Sequence, residues 1–178
     1  MKIYLIAGYA GSGKSTAAEL LAKYYKDAHI SAFAAAVKDQ VSEIYNIPRY
    51  LLETQEGKRL SYMAHGTKKT GRQLLIEHSA FMKTVKGNDV WAEIVVENIL
   101  SVNPDICIIH DWRYKNEYSV LKTNLPKADI LTIRVVREEV VPLKDPSEHD
   151  LDDFDFDYII KNNTSKEDLC VIMKTLVI

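Results

Sequence analysis

The chain has 178 residues, 47% of them hydrophobic, with 25 acids, 23 bases and a net charge of −2. That length and apolar content suit one domain with a sizeable core. No run approaches the roughly 18 consecutive apolar residues that read as a membrane span, and the near-neutral balance argues against a dedicated nucleic-acid surface. The charge is nonetheless uneven. Nine of the acids fall between Glu138 and Asp157 against one base, Lys144, which leaves 16 acids and 22 bases elsewhere. A basic remainder of this kind suits anionic small molecules.

Taken in order, Ile3, Leu5 and Ile6 form a short apolar strand directly after Met1 and Lys2, with no room for a leader peptide. Gly8-Tyr9-Ala10-Gly11-Ser12-Gly13-Lys14-Ser15 follows, with the Walker A spacing of a phosphate-binding loop. Ala17, Ala18, Leu21, Tyr24 and Tyr25 then recur at helical spacing. Strand, glycine-rich turn and helix are the context that such a loop needs. Backbone N–H groups and the positive end of the helix face the phosphates. Lys14 is the expected bridge between β- and γ-phosphates, and Ser15 the expected Mg²⁺ ligand.

Ala28 to Ala32 reads as a second strand, and Ala34, Val37, Val41 and Ile44 as the inner face of a helix that stops near Pro48. Lys38 is either a solvated helix lysine or, from its place near a strand's carboxyl end, a ligand group in the crevice. Residues 48–71 are polar, basic and unassigned. A helix from about Arg72 to Met82 has Leu74, Leu75, His78, Phe81 and Met82 as its apolar stripe. Arg72 stands where a cation opposes the helix dipole, which marks it as a phosphate-site candidate; His78 reads as core. The helix from Asp89 to Leu100 turns Trp91 inward, as core or as one wall of a base pocket.

Ile106 to Ile109 is an unbroken apolar run, as expected of a parallel strand buried on both faces. It leads into His110-Asp111-Trp112-Arg113. Asp111 has the Walker B position, where it would serve Mg²⁺ through water and orient the acceptor; the alternative is a cap on the next helix. Arg113 follows as a phosphate clamp. Ile130 to Val136 is a fourth strand, and Arg137 at its end either reaches the transferring phosphoryl or pairs with Glu138 or Glu139. Residues 138–153 read as a short acidic lid whose acids are mostly solvated. Phe156 to Ile160 is the fifth strand. Thr164 to Glu167 fits a capping box before a helix with Leu169, Ile172, Met173 and Leu176 inward. Cys107 and Cys170 are unclustered, which favours free thiols and a cytoplasmic protein.

Several stretches together resemble the deoxynucleoside monophosphate kinases of tailed phages and large DNA viruses. They are the Walker A loop, Thr70-Gly71-Arg72-Gln73-Leu74-Leu75, Asp89-Val90-Trp91, Asp111-Trp112-Arg113-Tyr114-Lys115-Asn116-Glu117, Ser147-Glu148 and Phe156-Asp157-Tyr158-Ile159-Ile160-Lys161-Asn162. The resemblance implies a three-layer α/β/α P-loop fold with a five-stranded parallel sheet, order 2-3-1-4-5. It also implies an acceptor-binding helical insert at about 38–100. The implied activity is Mg²⁺- and ATP-dependent phosphorylation of a deoxynucleoside 5′-monophosphate, in the host cytoplasm if the chain is viral. Gly11, Ser12, Gly13, Lys14, Ser15 and Thr16 would hold the ATP phosphates, with Asn162 near the adenine. Lys38, Arg72 and Arg113 would grip the acceptor phosphate, with Trp91 and Glu148 beside the acceptor. Asp111 would serve Mg²⁺ and the acceptor, and Arg137 would close the site with Ser147 and Glu148. Animal-type phosphomevalonate kinases are similar in pattern, with Lys68 and Lys69 as cations for a carboxylate. A non-catalytic ATP-binding switch is the third reading. Monomer and homodimer both stay open.

Overall fold

The computed structural model describes residues 1–142 and 145–177, and it divides into two compact units: Met1–Ala32 with Val95–Ile178, and Phe33–Ile94. In the first unit, β1 (Lys2–Ala7) is buried from Ile3 onward, as its unbroken apolar sequence requires. It pairs in parallel with β5 (Ile106–Trp112) on one side and β6 (Asp129–Val136) on the other. β2 (His29–Ser31) and β7 (Tyr158–Lys161) form the edges, giving the order β2-β5-β1-β6-β7. These labels differ from 2-3-1-4-5 because a hairpin, β3 (Ser61–Ala64) and β4 (Thr67–Thr70), intervenes in the chain and belongs to a separate two-stranded sheet.

α1 (Lys14–Ala22) and α7 (Lys166–Thr175) pack on the sheet through one core cluster. Ala17, Ala18 and Leu21 meet Ile108, Ile133 and Ile160, with Leu169, Met173 and Leu176 closing it. Tyr4 is fully buried there, and its phenol is satisfied by Tyr25 Oη and by the Leu176 carbonyl at 2.9 Å. Without these partners the buried hydroxyl would cost about 1–3 kcal/mol. Ser165 and Asp168 form the capping box of α7, one residue later than the expected Thr164 and Glu167. α6 (Lys115–Asn124) starts where Glu117 accepts the N–H groups of Arg113 (2.9 Å) and Tyr114 (3.0 Å). Trp112, Tyr118, Phe154 and Phe156 form a ring cluster beside it, mostly edge to face.

One irregularity positions functional residues. Leu5 pairs with Ile109 but Ala7 pairs with Trp112, so β5 holds one residue more than β1 in this interval. The bulge falls at His110 and Asp111. Bulges re-aim side chains at strand ends, and here the strand ends beside the glycine-rich loop.

The second unit contains α2 (Phe33–Tyr45), a 3₁₀ turn (Arg49–Leu52), α3 (Gln55–Arg59), the hairpin and α4 (Gly71–Lys86). α5 (Val90–Val102) begins in it. Val41, Ile47, Leu52, Ala64 and Leu74 are its core. The stretch 48–71, unassigned from sequence, is therefore structured. Its hairpin turns at His65 and Gly66, both with positive φ, the pattern of a tight two-residue turn. Thr70 and Gln73 cap α4 reciprocally. Phe81 departs from the expected stripe: it is exposed, while Leu74 carries the packing. No helix among the described residues is long and apolar enough to cross a membrane.

Candidate active site

The loop from Gly8 to Ser15 joins β1 to α1, as its motif requires. Gly8 (φ 144°) and Gly13 (φ 98°) hold conformations that L side chains avoid, and a Cβ at Gly8 would run into the Val135 carbonyl. Lys14 folds back over the loop. Its Nζ donates to the carbonyls of Gly8 (2.6 Å) and Tyr9 (2.8 Å), and the residue is 9% exposed. Burial first, and then the Arg113 charge, lower its pKa to about 8, against the opposing pull of Glu148 and Asp111. Lys14, Arg113, Glu148 and Asp111 are thus one electrostatic cluster.

Glu148 is at its centre. Its side chain is 1% exposed; Oε1 accepts Arg113 Nη1 at 2.7 Å and Oε2 accepts the Ala10 N–H at 2.8 Å. Ser147 Oγ also accepts Arg113 Nη1, at 3.2 Å. A carboxylate therefore sits on a phosphate-loop amide and a guanidinium, two groups suited to a phosphoryl oxygen. Next to it, Asp152 accepts Tyr9 Oη (2.7 Å) and Arg134 Nη2 (2.5 Å), and His149 Nδ1 lies 2.8 Å from the same carboxylate. Burial opposes ionisation of Asp152, but these hydrogen bonds prevail and take its pKa to about 2. Arg134 also donates to the Leu151 carbonyl (2.9 Å) and stacks 5.2 Å from the Tyr9 ring centroid.

Most acids of the stretch are exposed, as expected, and Glu148 is the buried exception. Glu148, Asp150, Asp152 and Asp153 all engage N–H groups or cations: Asp150 accepts Lys115 N (2.7 Å) and Asp153 pairs with Lys115 Nζ (2.6 Å). Leu143 and Lys144 of the expected lid lie outside the described residues. Arg137 makes a long, exposed contact with Glu139 at 3.5 Å.

Asp111 reaches the loop through its charge on Lys14. His110 reaches it directly, with Nδ1 3.3 Å from Ser15 Oγ. Asn162 follows β7, and its Nδ2 donates to the Ser12 carbonyl at 2.8 Å. Among the described residues, no group of three or more His, Cys, Asp and Glu could hold a metal ion.

The remaining candidates belong to the second unit. Lys38 pairs with Glu53 at 2.6 Å, and Glu53 also holds Arg49. Arg72 Nη2 donates to Gln55 Oε1 at 2.6 Å. Trp91 is 5% exposed and packs with Val37 and Val90, while its indole N–H has no hydrogen-bond partner among the described residues. His78 bonds Gln40 Oε1 (2.7 Å), and burial lowers its pKa, in keeping with a packed residue.

Sequence reasoning missed Arg134, Asp152 and the contact of His110 with Ser15. Arg134 left a trace, since an arginine within an otherwise apolar parallel strand is out of pattern. Asp152 left none, being one of nine acids in its stretch.

No protein-family model matches the chain, and no curated protein matches it. Solved structures do. A candidate kinase from Chloroflexus aurantiacus j-10-fl superposes with a TM-score of 0.54 at 12% identity, covering 98% of this chain and 93% of its own. Dephospho-CoA kinase from Campylobacter jejuni superposes with a TM-score of 0.51 at 16% identity, covering 99% and 96%. At such identities the likeness establishes the fold. The chain has the α/β architecture of P-loop kinases, with a five-stranded parallel sheet.

Proposed function

We propose that the chain transfers the γ-phosphoryl of ATP to a deoxynucleoside 5′-monophosphate. The observation that supports transfer, beyond triphosphate binding, is the pair of cations at the loop. Burial above all, and then the Arg113 charge, lower the Lys14 pKa, and Glu148 and Asp111 oppose that effect. Two cations in one electrostatic cluster, one of them paired with the buried Glu148, suit a reaction centre that brings two phosphates together.

In this reading Lys14 and the loop N–H groups bind the donor, and Arg113 holds the acceptor phosphate in line with it. Positioning and charge stabilisation then suffice, with no covalent intermediate. Ser15 and Asp111 offer a hydroxyl and a carboxylate, the hard oxygen donors that Mg²⁺ takes alongside phosphates and water. When bound, Mg²⁺ would neutralise charge on the β- and γ-oxygens. Arg137 is the candidate for further charge neutralisation, and its weak pairing to Glu139 leaves it easily recruited. Lys38, Arg72, Trp91 and Glu148 are proposed acceptor residues on the resemblance. Lys38 and Arg72 would exchange Glu53 and Gln55 for substrate oxygens.

An ADP-release assay across deoxynucleoside monophosphates, ribonucleoside monophosphates and phosphomevalonate tests the reading. Turnover is expected with one or more deoxynucleoside monophosphates. Turnover with phosphomevalonate alone would overturn the acceptor class, and ATP binding without turnover on any acceptor would favour the switch. In the active case, Arg72→Ala should raise the acceptor KM about tenfold or more while ATP affinity stays unchanged. Equal losses of both would remove Arg72 from the acceptor role.

A further inference from the structure

Asn162 ties the end of β7 to the phosphate loop. β7 ends at Lys161, and the next residue continues the sheet ladder: Asn162 N donates to the Val136 carbonyl at 2.7 Å. From this fixed point its side chain crosses to the phosphate loop, 150 residues away in sequence, and Nδ2 donates to the Ser12 carbonyl at 2.8 Å. The amide also lies against the Cα of Gly13, because a Cβ built there would run into Asn162 Nδ2. The chain has no cis peptide among its described residues. In a trans peptide the carbonyl and the following N–H point in opposite directions. Holding the Ser12 carbonyl outward therefore aims the Gly13 N–H the other way.

The peptides on either side are held by backbone bonds, Ser12 N–H to the Tyr9 carbonyl (3.1 Å) and Ala17 N–H to the Gly13 carbonyl (2.9 Å), and Asn162 holds the Ser12–Gly13 peptide between them. The Ser12 hydroxyl is buried without a hydrogen-bond partner among the described residues. Gly13 at φ 98° lacks the side chain that would resist rotation. A flip would present a carbonyl to the phosphates in place of a donor, exchanging attraction for repulsion at the centre of the cradle.

We propose that Asn162 is a positioning residue of the phosphate loop, fixing the Ser12–Gly13 peptide so that the Gly13 N–H faces the bound polyphosphate. This rests on the reading of the loop as a polyphosphate site. It departs from the base-side role that resemblance implies, and the two differ in a measurable way. A brace acts on any polyphosphate, whereas a base contact acts only on ligands that have a base.

The test compares calorimetric binding of inorganic tripolyphosphate and of ADP to the full chain and to Asn162→Leu, which keeps the branched side-chain shape and removes the donor. Both ligands are expected to weaken by a similar factor, about tenfold or more. The Gly13 amide proton should move downfield on tripolyphosphate binding in the original chain and not in the variant, a change that altered folding stability alone would not produce. If Asn162→Leu does not fold, Asn162→Ala gives the same comparison with a smaller loss, since water can then reach the carbonyl. Weakened ADP binding with unchanged tripolyphosphate binding would overturn the proposal in favour of a base contact. Unchanged binding of both would overturn it outright. Failure of the original chain to bind either ligand would instead overturn the donor-site reading, and this inference with it.

Discussion

Lys14→Met should reduce phosphoryl transfer by about 10³-fold while leaving the fold intact. The ammonium spans the loop to two of its own carbonyls, and replacing those bonds with phosphate oxygens is what the transfer reaction asks of it. Methionine keeps the length of the stem but cannot follow the charge that develops on the γ-phosphoryl. The same lysine gives a pH signature. With a pKa of about 8 in the free protein, it is charged below that value and loses its proton above it. Bound polyphosphate adds negative charge and favours the protonated form. ADP binding between about pH 8 and 10 should therefore take up a proton, and affinity should fall as pH rises above 8. Calorimetry in buffers of different ionisation enthalpy reads the uptake. Lys14→Met should abolish it, and uptake that persisted in the variant would assign the proton to another group.

Arg113→Met should be the second large effect, and it should be double. Removing the guanidinium leaves the buried Glu148 with the Ala10 N–H and the more distant charge of Lys14 to answer its own. The pair is buried at Glu148 and open to solvent at Arg113, so breaking it should cost less than a fully buried pair, about 2 kcal/mol, or roughly 6 °C in melting temperature for a chain of this size. On the proposed reading activity should fall as well, by about 10²-fold or more, because the acceptor phosphate would lose its clamp. The two losses separate in the double variant Arg113→Met/Glu148→Gln. A neutral glutamine can still accept from Ala10, so most of the stability should return and the activity should not. Recovery of both would show that Arg113 serves only to hold Glu148. Thermal melts and steady-state rates on the four proteins decide between these outcomes.

How much of this could be read from the residues alone depends on the range of each interaction. The phosphate loop is local: its glycines, lysine and serine are contiguous, and the strand and helix beside it announce themselves by period. The buried strands at Ile106–Trp112 and Asp129–Val136 are legible for the same reason. The hairpin at Ser61–Thr70 is not, because Thr67, Lys68, Lys69 and Thr70 have no apolar alternation to mark a strand. The bulge at His110 and Asp111 is invisible because register belongs to the pair of strands and not to either sequence. The largest gap concerns the acidic stretch. By composition it is a solvated run, yet Glu148 reaches Ala10 across 138 residues and Asp152 reaches Tyr9 across 143. Pairings of that separation are products of topology, and nothing local distinguishes Asp152 from Asp155.

The most direct test of the central claim follows the phosphorus atoms themselves. The chain is incubated with Mg²⁺, ATP and an equal mixture of the four common deoxynucleoside monophosphates, and ³¹P NMR monitors the products. The ATP β- and γ-resonances are expected to decline while those of ADP and of at least one deoxynucleoside diphosphate rise in equal amount. ATP that stays intact, or that yields ADP and inorganic phosphate with every monophosphate unchanged, would contradict it.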